Sequence, residues 1–308
     1  MIVMEEIAAH FDYNFSLIKD QVYELQPKEF PAYMREESST RPFEKRTYIG
    51  PLGLPVRNRD TQPLPISTPP QGFPSVFVPV QYRLGYIIDK QTIEDELWKL
   101  LADRPKSMIR GAVVIKDMVA SDILNNGTTA QSYDIDGQPL FSEDHPFENG
   151  SGTWSNLIGT STPITTESVF NAVMVLLQLL TDSQNMPISY NGRVNIYVPK
   201  INPALCEQAW SVVNSQMNPD TTDNRMNATK MFNLAAVPLR YLTNEDFWFV
   251  GWEPSSPGYG LTLIDRVAPE ISPLERFGDN RDVYYSRLRM RFTAGYETPR
   301  GIGAIGPV

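Results

Sequence analysis

A chain of 308 residues with 41% hydrophobic and 20% charged residues can bury a substantial core, as one large domain or two modest ones, and is too apolar to stay disordered. Its formal net charge of -9 excludes a protein that coats nucleic acid by neutralising phosphates. The single cysteine, Cys206, excludes a disulfide framework and a multi-cysteine metal site, and fits a reducing compartment such as cytoplasm.

The N-terminal Met1 to Glu6 lacks the basic and apolar parts of a secretion signal, and no stretch reaches the ~18 apolar residues of a membrane span, so the chain reads as soluble and unsecreted. From about Gln26 to Pro79 prolines recur at no fixed period, each removing a backbone donor and disfavouring helix before it. About fifty residues without a helix pattern exceed an ordinary connection. The segment is no flexible linker either, because it keeps Phe30, Tyr33, Phe43, Tyr48, Ile49, Leu52, Leu54, Leu64, Ile66 and Phe73, which require burial. Burial against a neighbouring subunit is one answer. Tyr48, Leu52, Leu54, Leu64, Ile66 and Phe73 are accordingly candidates for subunit contact.

Val76 to Tyr86 reads as a strand in which Pro79 suits an edge or a bulge. A first helix is capped by Asp89 or Thr92, and a second starts at Pro105, with Met108, Ala112, Ile115, Val119 and Ile123 on one face and Asn125-Asn126-Gly127 as the stop. Together they predict a rod bent at Pro105. Thr128 to Thr165 is loop-like. Beyond it the spacing predicts a helix at Glu167 to Thr181, a buried strand at Arg193 to Val198, and a helix at Asn202 to Gln216. A mobile loop is expected over Asn218 to Thr229, then strands at Ala235 to Tyr241, Phe247 to Trp252 and Leu261 to Val267. Ser286 to Phe292 alternates cleanly, with Arg287, Arg289 and Arg291 on one face and Leu288, Met290 and Phe292 on the other.

The chemistry available is sparse. Asp134, Asp136, Glu143, Asp144 and His145 contain the donor types of a divalent-metal site, but acids in a Gly/Asn-rich loop usually form turns. Cys206 sits in a helical setting that suits a small buried apolar group. The reading is therefore no catalytic residue, no metal and no cofactor. For the arginine face, salt bridges to carboxylates of another element or subunit are favoured over DNA phosphates because the rest of the chain is acidic.

Tyr133-Asp134-Ile135-Asp136-Gly137-Gln138-Pro139-Leu140-Phe141-Ser142-Glu143-Asp144-His145-Pro146, followed by Asn149-Gly150 and Ser155-Asn156-Leu157, resembles the major head subunits of tailed bacteriophages in the Mu-like branch. The resemblance extends to the preceding helix end at Ser121 to Gly127 and to the helix-strand-helix order after Thr165, covering roughly Gly85 to Gly301. It implies an α+β, Hong Kong 97-like capsid fold with an N-terminal arm (1–46), an extended loop (47–75), a peripheral domain with a long spine helix (76–164), an axial domain (165–267) and a return to the peripheral domain (268–308). The implied function is a major capsid protein assembling into an icosahedral head around double-stranded DNA. The implied partners are itself as hexamers and pentamers, with scaffold, portal, and decoration or cement proteins, and DNA bound without sequence preference. Its place is the virion, after assembly in the host bacterial cytoplasm, with no membrane. Two rivals stand beside it: an encapsulin-like compartment shell, and a metal-dependent hydrolase using Asp134, Asp136, Asp144 and His145.

Overall fold

The computed structural model describes residues 23–49, 55, 57, 66, 71–94, 98–131, 134–147, 152–159, 163–179, 192–221, 225–256, 259–276 and 283–306. A 3-10 turn at Phe30–Ala32 leads into β1 (Arg35–Ser38), β2 (Glu44–Ile49), β3 (Gln71–Phe77), β4 (Val80–Asp89), α1 (Lys90–Glu94) and α2 (Trp98–Asn125). There follow β5 (His145–Pro146), β6 (Thr153–Trp154), β7 (Leu157–Gly159), α3 (Thr166–Leu179), β8 (Val194–Pro199) and α4 (Pro203–Asn214). The chain closes with β9 (Leu234–Leu239), β10 (Trp248–Trp252), β11 (Leu261–Ile271), β12 (Glu275–Arg276), β13 (Val283–Tyr296) and β14 (Ile302–Ile305).

These strands make two larger sheets. In the first, β11 lies between β1 and β13, while β13 pairs with β12 and, along its other side, with β4. The second has the order β7-β14-β10-β8-β9, so the last strand of the chain is an interior member. Helix α2 packs on β11 and β13, α4 on β8 and β9, and α3 on β10, β14 and β7.

Helix α2 turns a stripe of Met108, Ala112, Ala120, Ile123 and Leu124 into the core, the i, i+4 repeat expected of a half-buried helix. It runs uninterrupted through Pro105, where a helix start was expected. The missing N–H opens one rung of the ladder near the first turns, and the downstream stripe holds the remainder. Gly127 then ends the helix in a place where a Cβ would lie 2.4 Å from the Phe141 ring.

Two other expectations are revised. Phe30 and Tyr33 find burial inside their own chain, both at 0% exposure, because the backbone around them is tied down at many points. Asp117 of α2 accepts from the Glu29 and Phe30 amides at 3.0 and 2.9 Å, and the Tyr33 hydroxyl meets Ser121 Oγ at 2.9 Å. The segment expected to be a mobile loop over Asn218 to Thr229 is pinned where it is described. Met217 bridges Met226, and buried Asn227 donates to the Val212 and Ser215 carbonyls at 2.7 and 3.0 Å.

Candidate assembly surfaces

Three features stand out from the packed body. The first is the two-stranded ribbon of β2 and β3, whose register runs from Glu44 opposite Phe77 to Ile49 opposite Gln71. Its root is fixed: Arg46 bridges Glu37 at 2.6 Å and Glu297 at 2.5 Å, and the buried Phe77 ring lies against Gly295, where a Cβ would come within 2.8 Å of it. Beside the root, Val76, Val78 and Val80 are more than half exposed and border a groove of about 280 Å³ closed on its other side by Thr293 to Tyr296. Of the contact candidates on this segment, Ile66 is 89% exposed and Phe73 is half-buried. The Tyr48 side chain and Leu52, Leu54 and Leu64 lie outside the described residues.

The second is the arginine face of β13. Arg287 and Arg289 are exposed and Arg291 half-buried, while Leu288, Met290 and Phe292 are in the core, so the strand alternates as its sequence predicts. Arg289 stands directly opposite Arg83 of β4, a like-charge pair that an ordinary solvated sheet avoids. Among the described residues none of Arg83, Arg287, Arg289 and Arg291 forms an ion pair.

The third is the turn region between α2 and α3, where the structure divides the acidic cluster. Asp136 Oδ2 meets His145 Nδ1 at 2.7 Å and both side chains are buried. Asp134 instead accepts from the Tyr296 hydroxyl at 2.8 Å, and Glu143 and Asp144 point to solvent. Among the described residues no three His, Cys, Asp or Glu side chains converge as a metal site would require. The hub of this region is Asn156, which the sequence offered as part of the Ser155-Asn156-Leu157 resemblance but without a role. Asn156, fully buried, accepts from the Ser142 amide at 2.9 Å and faces His145 Nε2 at 3.2 Å through Oδ1, while Nδ2 donates to the Leu140 carbonyl at 2.7 Å and the Pro299 carbonyl at 3.2 Å. His145 stacks on Trp154 at 4.6 Å between ring centroids. The arrangement fastens the turns to the C-terminal strand, with the two imidazole nitrogens engaged by Asp136 Oδ2 and Asn156 Oδ1.

A second buried polar centre was also missed. Lys116 has no exposed side-chain surface and donates to Asp265 Oδ2 at 2.5 Å and to the Tyr23 hydroxyl at 2.9 Å, with Glu36 at 3.7 Å. Burial works to lower the Lys116 pKa, but Asp265 and Tyr23 together hold it above the usual lysine value. A lysine-aspartate step inside an otherwise apolar helical stripe was the signal available in the sequence. Cys206 is half-buried, with burial raising its thiol pKa, as befits a packing residue.

Residues 79–170 match the family model of the Mu-like prophage major head subunit gpT. That segment is similar to the Mu-like head subunits over 92 of the 308 residues. It spans β4, α2, the Asp136–His145–Asn156 turns and the start of α3, the same residues that carry the resemblance in the sequence. Solved structures agree over the rest of the chain. A chain in the procapsid of bacteriophage JBD30 superposes with a TM-score of 0.51 at 14% identity, covering 98% of this chain and 75% of that one. A chain of Mycobacterium phage Patience gives 0.54 at 11% identity, with 100% and 89% covered. A chain of the virus-like particle from Pyrococcus furiosus gives 0.50 at 9% identity, with 96% and 99% covered. The chain therefore has an α+β, Hong Kong 97-like capsid fold, and the segment similar to Mu-like head subunits lies within it. Comparison with the curated proteins found no match.

Proposed function

We propose that this chain is the major head subunit of a tailed bacteriophage, assembling as hexamers and pentamers into an icosahedral shell that encloses double-stranded DNA. The observation that carries the reading is the Mu-like head-subunit match at residues 79–170 inside a chain whose fold is that of capsid proteins. The Pyrococcus furiosus particle shares the fold, so fold alone does not separate a phage head from a compartment shell; the family segment favours the head.

The work of such a subunit is binding to its own copies, where many moderate contacts closed by symmetry give the shell its stability. Residues 47–75, the half-exposed valines and the arginine face are the surfaces we assign to those contacts. No catalytic residue enters this role. A net charge of -9 limits adhesion of packaged DNA to the wall, and scaffold, portal, and decoration or cement proteins are the partners a head requires.

Electron microscopy of the purified chain, alone and with its candidate scaffold, tests this. Uniform shells or hexamer and pentamer capsomers are expected. A monodisperse 34.8 kDa monomer under all assembly conditions refutes the proposal, and shells that enclose protein cargo and never DNA transfer it to the compartment reading.

A further inference from the structure

Strand β4 is an outer strand of the first sheet, paired only with β13 among the described residues. Its parity can be worked out. On β13, the Arg287 carbonyl accepts from the Ser272 amide at 2.8 Å, on the side of β11, so odd-numbered residues of β13 face β11 and even-numbered ones face β4. The register sets Ser286 opposite Tyr86 and Leu288 opposite Leu84, so the even residues of β4 complete the ladder and Gln81, Arg83, Gly85 and Ile87 turn their N–H and C=O groups outward. An independent contact agrees: the Ile87 carbonyl is reached from outside the sheet by Arg104 Nη1 at 3.4 Å. The Gln81, Arg83 and Gly85 backbone groups on that side have no partner among the described residues.

Side chains along the same edge are unfinished too. Val80 and Leu84, on the core side of the sheet, keep 55% and 51% exposure, as if the core layer stopped one strand short. On the other side, Arg83 joins Arg287, Arg289 and Arg291 in a face of four arginines against which β11 sets Glu270 opposite Arg289, and among the described residues none of the four is ion-paired. Edge strands are ordinarily blunted by brevity, bulges or inward charge, whereas β4 is ten residues long and pairs with β13 residue for residue without a bulge.

We propose that β4 receives an added strand from a second copy of this chain, an extended segment that pairs with Gln81 to Ile87, covers Val80 and Leu84, and sets carboxylates against the arginine face. Backbone pairing supplies the affinity and the alternating side chains the register, as in other strand-addition complexes. The charge balance selects the occupant: every further copy carries a net charge of -9, opposite in sign to the patch. This inference rests on the shell-building role.

Amide exchange resolved by residue, on wild-type subunit and on assembled shells, tests it. In the unassembled subunit the amides of Arg83, Gly85 and Ile87 exchange fast and those of Tyr82, Leu84 and Ile88 slowly; in shells the odd set slows to match the even set. Odd amides that stay fast in intact shells overturn the inference and leave the head-subunit reading standing. Odd amides already slow in the free subunit, or slow only after a different protein is added, also overturn it, since the occupant is then the chain itself or another partner. A chain that never assembles overturns both. As a second arm, Gly85→Pro removes an outward N–H and spares the ladder to β13, and the space admits it, since a Cβ there meets the Ser286 carbonyl at 3.5 Å. G85P is expected to melt like wild type and to lose assembly; normal shells from G85P refute strand addition.

Discussion

Lys116→Met tests whether the buried polar centre holds the N-terminal segment, the helix and the sheet together. Lys116 on α2, Asp265 on β11 and Glu36 on β1 come from three elements that share no local sequence. Methionine keeps the length of the side chain and deletes the cation, leaving Asp265 with a buried Oδ1 that already has no donor and an Oδ2 that has lost its own. Breaking a buried pair from one side costs about 3–5 kcal/mol. The low end, about 3 kcal/mol, is expected here because Asp265 keeps 14% side-chain exposure and recovers some water. Adding Asp265→Leu removes the stranded charge, so the double variant recovers at least about 2 kcal/mol relative to the sum of the singles. Urea unfolding of the unassembled subunit, followed by tryptophan fluorescence, measures all three. If K116M costs under about 1 kcal/mol, or if the two substitutions add within about 0.5 kcal/mol, the centre does not act as a unit and the reasoning fails.

Asn156→Ala orphans the Ser142 amide together with the Leu140 and Pro299 carbonyls, and is expected to lower subunit stability by about 3 kcal/mol in the same urea assay, with proteolysis first appearing in the 131–159 turns. Gly260→Ala places a Cβ 2.3 Å from the Thr298 carbonyl and is expected to cost about 3 kcal/mol, whereas Gly111→Ala on the exposed side of α2 meets nothing within 4 Å and should raise stability by about 0.8 kcal/mol. Both are read by thermal melting. Alkali should also unfold the subunit. Burial holds Tyr33 and Tyr259 well above the ordinary phenol value and pushes Tyr197 up to about 12. Because these pKa values are raised in the folded state, their contribution is intact below about pH 10 and falls as pH rises from there. Tyr197→Phe should reduce the slope of stability against pH by about 1.4 kcal/mol per unit between pH 10 and 12, and an unchanged slope counts against the assignment.

What the sequence revealed divides by the range of the interaction. The alternation at Ser286 to Phe292, the apolar stripe of α2, and Pro203 beside the Asn202 cap of α4 are local signals, and each lies where its period or cap chemistry puts it. The Leu205 amide donates to Asn202 Oδ1 at 3.3 Å, the bond such a cap is built to make. Long-range fasteners were not legible. Nothing in the sequence near Tyr33 announces that its carbonyl accepts from the Tyr259 hydroxyl, or that Ala32 receives Tyr197 at 3.1 Å. The acidic loop illustrates the same limit from the other side. Five ionisable residues close in sequence suggested one cluster, yet the turns send Asp136 to His145, Asp134 to Tyr296, and Glu143 and Asp144 to water.

The boundary of the projecting ribbon changes how its role in assembly is best tested. Deleting residues 47–75 outright would remove most of β2 and β3, the ribbon anchored by Arg46 and Phe77. Loss of assembly would then follow from a damaged root as readily as from a lost contact. The register offers a cleaner variant. Ile49 faces Gln71, so replacing residues 50–70 with Asn-Gly joins the strands through a two-residue turn whose twist suits a hairpin. The Arg46 bridges to Glu37 and Glu297 and the seat of Phe77 on Gly295 stay in place. This variant is expected to melt within a few degrees of wild type, because nothing in the described core is removed, and to yield no closed shells by electron microscopy and sedimentation. Normal shells from a well-folded variant would show that residues 50–70 make no contact on which assembly depends, and would confine the essential surfaces to the ribbon root, the valine-lined groove and the arginine face.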